Sequence, residues 1–179
     1  MRVITGQARG RRLISPEGYD VRPTTDKVKE SLFNIIQFRL DGACVLDLFA
    51  GSGQLGIEAL SRGADRAVFV DSSRKSLDVV RKNIELCSFT SQAQIFLLDA
   101  ASYLRTTNEK FDIVILDPPY HKNLCVSALE ILGNAVNDDC VVICETQSDE
   151  ELPESVGNFI IDRVYSYSSI KLTVYRVDN

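Results

Sequence analysis

The segment Asp117-Pro118-Pro119-Tyr120 follows an apolar run, FDIVI, that reads as a buried strand. Neither proline can donate to a sheet ladder, so the pair ends the strand. A plain stop needs less than this. The segment adds an acid, a carbonyl whose direction the prolines fix, and an aromatic ring. At the carboxyl edge of a parallel sheet, where open α/β proteins bind ligands, these groups make hydrogen-bond acceptors beside a stacking wall. The alternative is a strand stop with Asp117 as a turn residue. The only histidine, His121, comes next; a general base there competes with an exposed loop residue.

A second group lies in VLDLFAGSGQLGIEAL, where Gly51, Gly53 and Gly56 satisfy G-x-G-x-x-G directly after a strand and at the opening of a helix. Glycine allows a sharp turn and lets a ligand approach the backbone closely. Asp71 ends the next strand, twenty residues after Gly51, placed to accept hydrogen bonds from a ribose diol. These features suit NAD and S-adenosylmethionine equally.

Three others favour the second. Asp47 sits inside the first strand, and a buried carboxylate without a partner is costly. The charged aminoacyl end of S-adenosylmethionine would supply that partner, whereas NAD has no such group. Asp99 closes the third strand, where it accepts from an adenine amine, caps the helix AASYL, or does both. Finally, the 179 residues leave too little chain for the substrate domain of a dehydrogenase.

The elements that must position these residues read as a repeat. Strand-like runs at 43–49, 66–71, 94–99, 111–117 and 140–146 alternate with helical stretches. Nearly continuous apolar strands separated by helices imply a parallel sheet covered on both faces. FIIDRVYSY and IKLTVYR follow with almost no spacer and read as a terminal antiparallel hairpin. At the other end, RVIT and RRLIS flank GQARG as a short hairpin. RPTTDKVKESLFNIIQF then puts Val28, Leu32, Ile35 and Ile36 on one helical face, with Thr24 or Thr25 as cap. One domain spans 1–179, with a basic arm at 1–24 and the helix and core at 25–179.

Charge divides the chain in the same place. The net charge is −5, yet residues 1–30 carry seven basic against four acidic side chains, leaving −8 on the rest. A basic arm on an acidic body suggests a local polyanion contact, or else a solvated arm. The five cysteines are odd in number, scattered and mostly inside apolar runs, which suits reduced core thiols and no metal site. No stretch approaches the roughly 20 apolar residues of a membrane span. The N-terminus lacks the apolar centre of a signal peptide, so a cytoplasmic protein is expected.

The residues together resemble a known family. D-x-F-x-G-x-G on the first strand, an acid ending the second and D-P-P-Y ending the fourth resemble class I amino-group methyltransferases. ITGQARGRRLISPEGYDVRPTTDKVKESLFNII is similar to the opening of the RsmD-type 16S rRNA guanine-N2 methyltransferases, and the resemblance runs on to LTVYR. RPTTDKVKESLFN is its most specific block, because many adenine, cytosine and glutamine methyltransferases share DPPY. The resemblance implies an α/β, Rossmann-like fold with a doubly wound, mostly parallel seven-stranded sheet, a terminal antiparallel hairpin, and an N-terminal hairpin and helix.

It also implies S-adenosylmethionine as cofactor, held by Asp47, Phe49, Gly51, Gly53, Asp71, Asp99 and Ala100. Thr24 and Thr25 would border both RNA and the methionine end. Asp117, Pro118 and Tyr120 are the implied catalytic residues. An exocyclic base amine is a poor nucleophile because its lone pair is delocalised into the ring. Two acceptors, the Asp117 carboxylate and the Pro118 carbonyl, favour its nucleophilic geometry and take up charge as it develops. Tyr120 offers a ring face to a base rotated out of its stack.

Arg9, Arg11, Arg12 and Arg22 then become candidates to grip RNA phosphates. The implied partner is 16S rRNA in the 30S subunit or an assembly intermediate, and a monomer without metal or membrane is expected. The hairpin turn YSSI departs from the family, where a glycine is expected. Rival readings are methylation of adenine N6 or of a glutamine, a non-catalytic RNA-binding assembly factor, and an NAD oxidoreductase.

Overall fold

The computed structural model describes residues 1–15 and 26–178. In chain order the elements are α1 (Asp26–Ile36), β1 (Cys44–Asp47), α2 (Gln54–Ser61), β2 (Arg66–Asp71), α3 (Arg74–Leu86), β3 (Ala93–Leu97), α4 (Ala100–Thr106), β4 (Phe111–Leu116), α5 (Leu124–Leu132), β5 (Val136–Gln147), β6 (Ser155–Val156), β7 (Phe159–Tyr167) and β8 (Ile170–Val177). The strands form one sheet in the order β3-β2-β1-β4-β5-β8-β7-β6. The pairs from β3 through β5 are parallel, and those from β5 through β6 are antiparallel. This is the doubly wound α/β fold read from the alternation of strands and helices.

The sheet has eight strands where seven were expected. The extra one is the two-residue β6, which turns back onto Phe159 and Ile160 at the sheet edge. Gly157 makes that turn possible with φ +58°. The YSSI turn is a two-residue connection between paired Tyr167 and Ile170, and Ser168 carries its positive φ of 48°.

Strand residues alternate between two cores. Val45, Phe69, Ile113, Ile115, Val141 and Ile143 pack towards α1, α2 and α3, while Leu46, Val68, Val114, Leu116, Val142 and Cys144 pack towards α4 and α5. The same parity puts Asp47, Asp71, Asp117 and Glu145 on the first of these faces at the strand ends. On α1 the residues Val28, Leu32, Phe33 and Ile36 are buried. The proposed caps Thr24 and Thr25 lie outside the described residues.

The N-terminal segment forms the expected short hairpin: Val3 N donates to Arg11 O at 2.9 Å, Gly10 N to Val3 O at 2.9 Å and Leu13 N to Met1 O at 3.2 Å, around an antiparallel bridge between Arg2 and Arg12. Other backbone groups of the segment pair with side chains and backbone of α2. Gln7 N donates to Ser61 O at 2.8 Å and Ala8 N to Ser61 Oγ at 2.9 Å. Buried Glu58 accepts from Ile4 N at 2.8 Å, Thr5 N at 3.0 Å and Arg62 Nε at 2.8 Å. Lys29, counted with the basic arm from sequence, is fully buried. Its Nζ donates to Arg2 O at 2.7 Å and lies 4.0 Å from Glu58 Oε2, so it anchors the arm and is closed to an outside polyanion.

Candidate active site

Strand order reverses direction between β1 and β4, and the ends of these two strands with their neighbours form the crevice in which α/β sheets bind ligands. After β1 the chain turns through Gly51 at φ +53° and Gly53 at φ +77° into α2. The three glycines divide the work. A Cβ on Gly51 would meet only Phe49 O at 4.0 Å, whereas a Cβ on Gly56 would stand 2.3 Å from the Phe69 ring. Gly51 therefore leaves open space above the loop, and Gly56 lets α2 pack closely on β2.

Two acids brace this loop. Asp71 Oδ2 accepts from Gly51 N at 2.9 Å and Oδ1 from Ser73 N at 2.7 Å. Asp47 Oδ2 accepts from Gly56 N at 2.9 Å, capping a helix whose own N-cap, Gly53, has no side chain. Burial pushes the Asp47 carboxyl up to about 7; the Gly56 N–H opposes this, and the charges of Asp117 and Asp71 add to it. Three carboxylates thus converge on one crevice, which suits a cationic ligand better than an anionic one. An open glycine loop under this acidic wall fits a sulfonium cofactor with an ammonium end.

Asp99 caps α4, accepting from Ser102 N at 2.9 Å and Ser102 Oγ at 2.7 Å. The Ser102 hydroxyl and N–H hold its carboxyl below the usual range. The capping role is thus present, and Asp99 is exposed at the end of β3, with Ala100 opening the helix behind it. Phe49 is half-buried and packs on the α4–α5 core.

At the end of β4, Asp117 stands one residue beyond the pair Leu116–Cys144. Pro118 is buried, and Tyr120 Oη donates to Glu145 Oε1 at 3.2 Å. His121 is exposed; its Nε2 lies 3.1 Å from Gln147 Oε1, and its backbone N donates to Glu150 Oε2 at 3.0 Å. A cavity of about 290 Å³ opens here, lined among others by Pro118, Tyr120, Cys125, Glu145 and Thr146.

Arg9, Arg11 and Arg12 are exposed on the arm; Arg22, Thr24 and Thr25 lie outside the described residues. The arm reaches the glycine loop through Asn83, a residue that sequence reasoning missed. Buried Asn83 accepts from Ile14 N at 2.8 Å and donates to Ser52 O at 2.9 Å. Glu145 was missed as well, although the signal was present: like Asp47, Asp71, Asp99 and Asp117, it is an acid near the carboxyl end of a parallel strand. The cysteines are free thiols, and burial raises Cys87, Cys140 and Cys144 above the ordinary range.

This fold and this crevice define a class I methyltransferase, for which S-adenosylmethionine is the cofactor. The family described as conserved hypothetical protein 95 matches residues 1–176. A Bacillus subtilis protein whose name proposes an rRNA methyltransferase is 39% identical, with 98% of each chain covered. The Escherichia coli K12 ribosomal RNA small subunit methyltransferase D is 32% identical over 98% of this chain and 89% of its own. The solved structure of an Escherichia coli protein proposed as a methyltransferase superposes with a TM-score of 0.87 at 32% identity, covering 99% of this chain and 98% of that one. The chain belongs to this family, together with the ribosomal RNA small subunit methyltransferase D proteins.

Proposed function

We propose that this methyltransferase transfers a methyl group to the exocyclic N2 of one guanine in 16S rRNA, within the small subunit or an assembly intermediate. The observation that carries the reading is the DPPY loop on β4, set beside an open glycine loop and a cavity lined by acceptors. When bound, S-adenosylmethionine supplies a methyl group activated by its sulfonium. The protein's task is then to hold the amine in line with the methyl–sulfur bond. Asp117 and the Pro118 carbonyl accept the two N2 hydrogens, and Asp117 takes up the proton released when the N–C bond forms. The Tyr120 ring, tethered through its hydroxyl to Glu145, supplies the wall against which a flipped base stacks.

On the cofactor side, Asp47 is the counter-charge for the aminoacyl ammonium, and Asp71 and Asp99 face the ribose and adenine with Phe49 and Ala100. The exposed arginines 9, 11 and 12 hold RNA phosphates, which gives position without sequence information. The relatives named for small-subunit rRNA support that partner.

The test is mass spectrometry of 16S rRNA from a strain lacking the gene. One N2-methylguanine is expected to disappear, to return with the wild-type gene, and to stay absent with Asp117→Ala. If only an adenine or a protein glutamine lost its methyl group, the guanine assignment would fail.

A further inference from the structure

The cavity beside the DPPY loop holds two polar side chains that the methyl-transfer chemistry does not use. Glu145 and Thr146 lie near the end of β5, just before Gln147, and are 1% and 2% exposed. They leave the strand on opposite faces, and both line the cavity that caps the strand end. Thr146 Oγ1 is buried with no hydrogen-bond partner. The cavity's volume is about 290 Å³, and Pro118, Tyr120 and Glu145 line it, with Asp117 next to Pro118 in the chain.

Register decides what Glu145 meets. Leu116 pairs with Cys144, so Asp117 and Glu145 are the next residues along and stand on the same face, one strand spacing apart, roughly 5 Å. Tyr120 Oη holds Glu145 Oε1 at 3.2 Å, which fixes the carboxylate at the same wall as the loop. A carboxylate has about four acceptor sites, so the Tyr120 bond by itself does not saturate the group. A base whose exocyclic amine lies at Asp117 thus presents its adjacent ring nitrogen to a second acceptor.

Among the bases only guanine suits that pair. Its Watson–Crick edge carries the N2 amine and N1–H side by side, both donors. Adenine and cytosine each present an amine beside a bare ring nitrogen, whose lone pair would face the carboxylate. Resting on the guanine reading above, we propose that Glu145 is the specificity-determining residue of this enzyme: its carboxylate accepts N1–H of the flipped guanine whose N2 is held at Asp117.

The test uses small-subunit particles reconstituted with either guanine or 2-aminopurine at the methylated position. 2-Aminopurine keeps the N2 amine but presents a bare N1. Wild-type enzyme should methylate it at least tenfold less efficiently, in kcat/KM, than guanine. Glu145→Gln offers an amide donor to that nitrogen, so it should lose guanine activity while raising the 2-aminopurine-to-guanine ratio at least tenfold. S-Adenosylhomocysteine binding should be unchanged, which separates recognition from folding. Equal wild-type use of the two bases would overturn the proposal without any variant. A parallel loss on both bases in Glu145→Gln would also overturn it, by showing a merely structural carboxylate. Failure of wild type to methylate any guanine would instead overturn the reading on which the proposal rests.

Discussion

Asp47 and Gly56 are joined by a hydrogen bond of 2.9 Å from the Gly56 N–H to Asp47 Oδ2, which ties the end of β1 to the first turn of α2. One carboxylate thus shapes the glycine loop from below. Because Gly53 has no side chain to cap α2, a strand residue does so, and its burial raises the carboxyl to about 7.

That shift has a defined consequence for stability. A carboxyl whose folded pKa lies above its unfolded value binds a proton more tightly when folded, so the fold weakens as pH rises between the two values. For Asp47 the window runs from the usual carboxylate range to about 7, and the contribution is flat above it. Asp47→Asn keeps an acceptor for Gly56 and removes the charge. Urea denaturation at pH 5 and pH 8 should show the variant with less pH dependence and greater stability than wild type at pH 8. Calorimetry should show S-adenosylhomocysteine binding at least tenfold weaker, since the ammonium loses its counter-charge. An unaltered pH profile would remove Asp47 from this account.

Gly56 and Gly51 should separate when each is changed to alanine. At Gly56 the new Cβ would stand 2.3 Å from Phe69 Cε1, and overpacking of this kind costs about 1–3 kcal/mol. Phe69→Leu should recover part of it. At Gly51 no neighbour lies closer than 4.0 Å, so the penalty is the positive φ alone, about 1–2 kcal/mol. Its Cβ would project into the space above the loop, and cofactor affinity should fall more than stability. Thermal melts with and without S-adenosylhomocysteine distinguish the two.

The contrast shows how far the sequence alone reaches. The bounds of β2 and β7 coincide with the apolar runs RAVFVD and FIIDRVYSY, because strand alternation is a local pattern. The glycine loop and the acids at the strand ends were legible for the same reason. Lys29 was not: it sits in a polar-looking helix, and only the approach of Glu58, twenty-nine positions away, buries it. The N-terminal segment forms the hairpin its alternation suggests, but nothing local reveals that its turn docks on α2 through Ser61. Glu145 was overlooked although it shares the acid-near-a-strand-end pattern, because β5 runs on past it to Gln147 and no turn residue follows it directly.

The exposed arm supplies a prediction about salt. Each phosphate contact releases counterions, which steepens the dependence of RNA affinity on ionic strength. Changing Arg9, Arg11 and Arg12 together to glutamine removes three exposed charges. The logarithmic salt slope for 16S rRNA binding should flatten by about 2, with cofactor affinity unchanged. A slope equal to that of wild type would assign these side chains to solvent.

Ser168 departs from the glycine expected in the last hairpin, and its φ of 48° shows what the departure costs. A side chain in the left-handed region is strained, and glycine relieves the strain at the expense of some unfolded-state entropy. Ser168→Gly should therefore raise stability by about 0.5–1 kcal/mol without changing methyl transfer. A lower unfolding midpoint in urea would contradict this.

Asp117 gives the sharpest separation of binding from chemistry. Asparagine keeps a carbonyl acceptor for the base amine but cannot take up its proton, and alanine keeps neither function. Single-turnover methyl transfer should therefore fall in the order wild type, Asp117→Asn, Asp117→Ala, with a loss of about 10²–10³ or more for alanine. Removing this charge also takes one like charge away from Asp47, whose carboxyl it helps to raise. Cofactor affinity should accordingly hold in both variants or shift slightly, with its pH dependence moved to lower pH. A cofactor affinity lost in step with turnover would instead make Asp117 a binding residue and leave the Pro118 carbonyl as the acceptor at the reacting nitrogen.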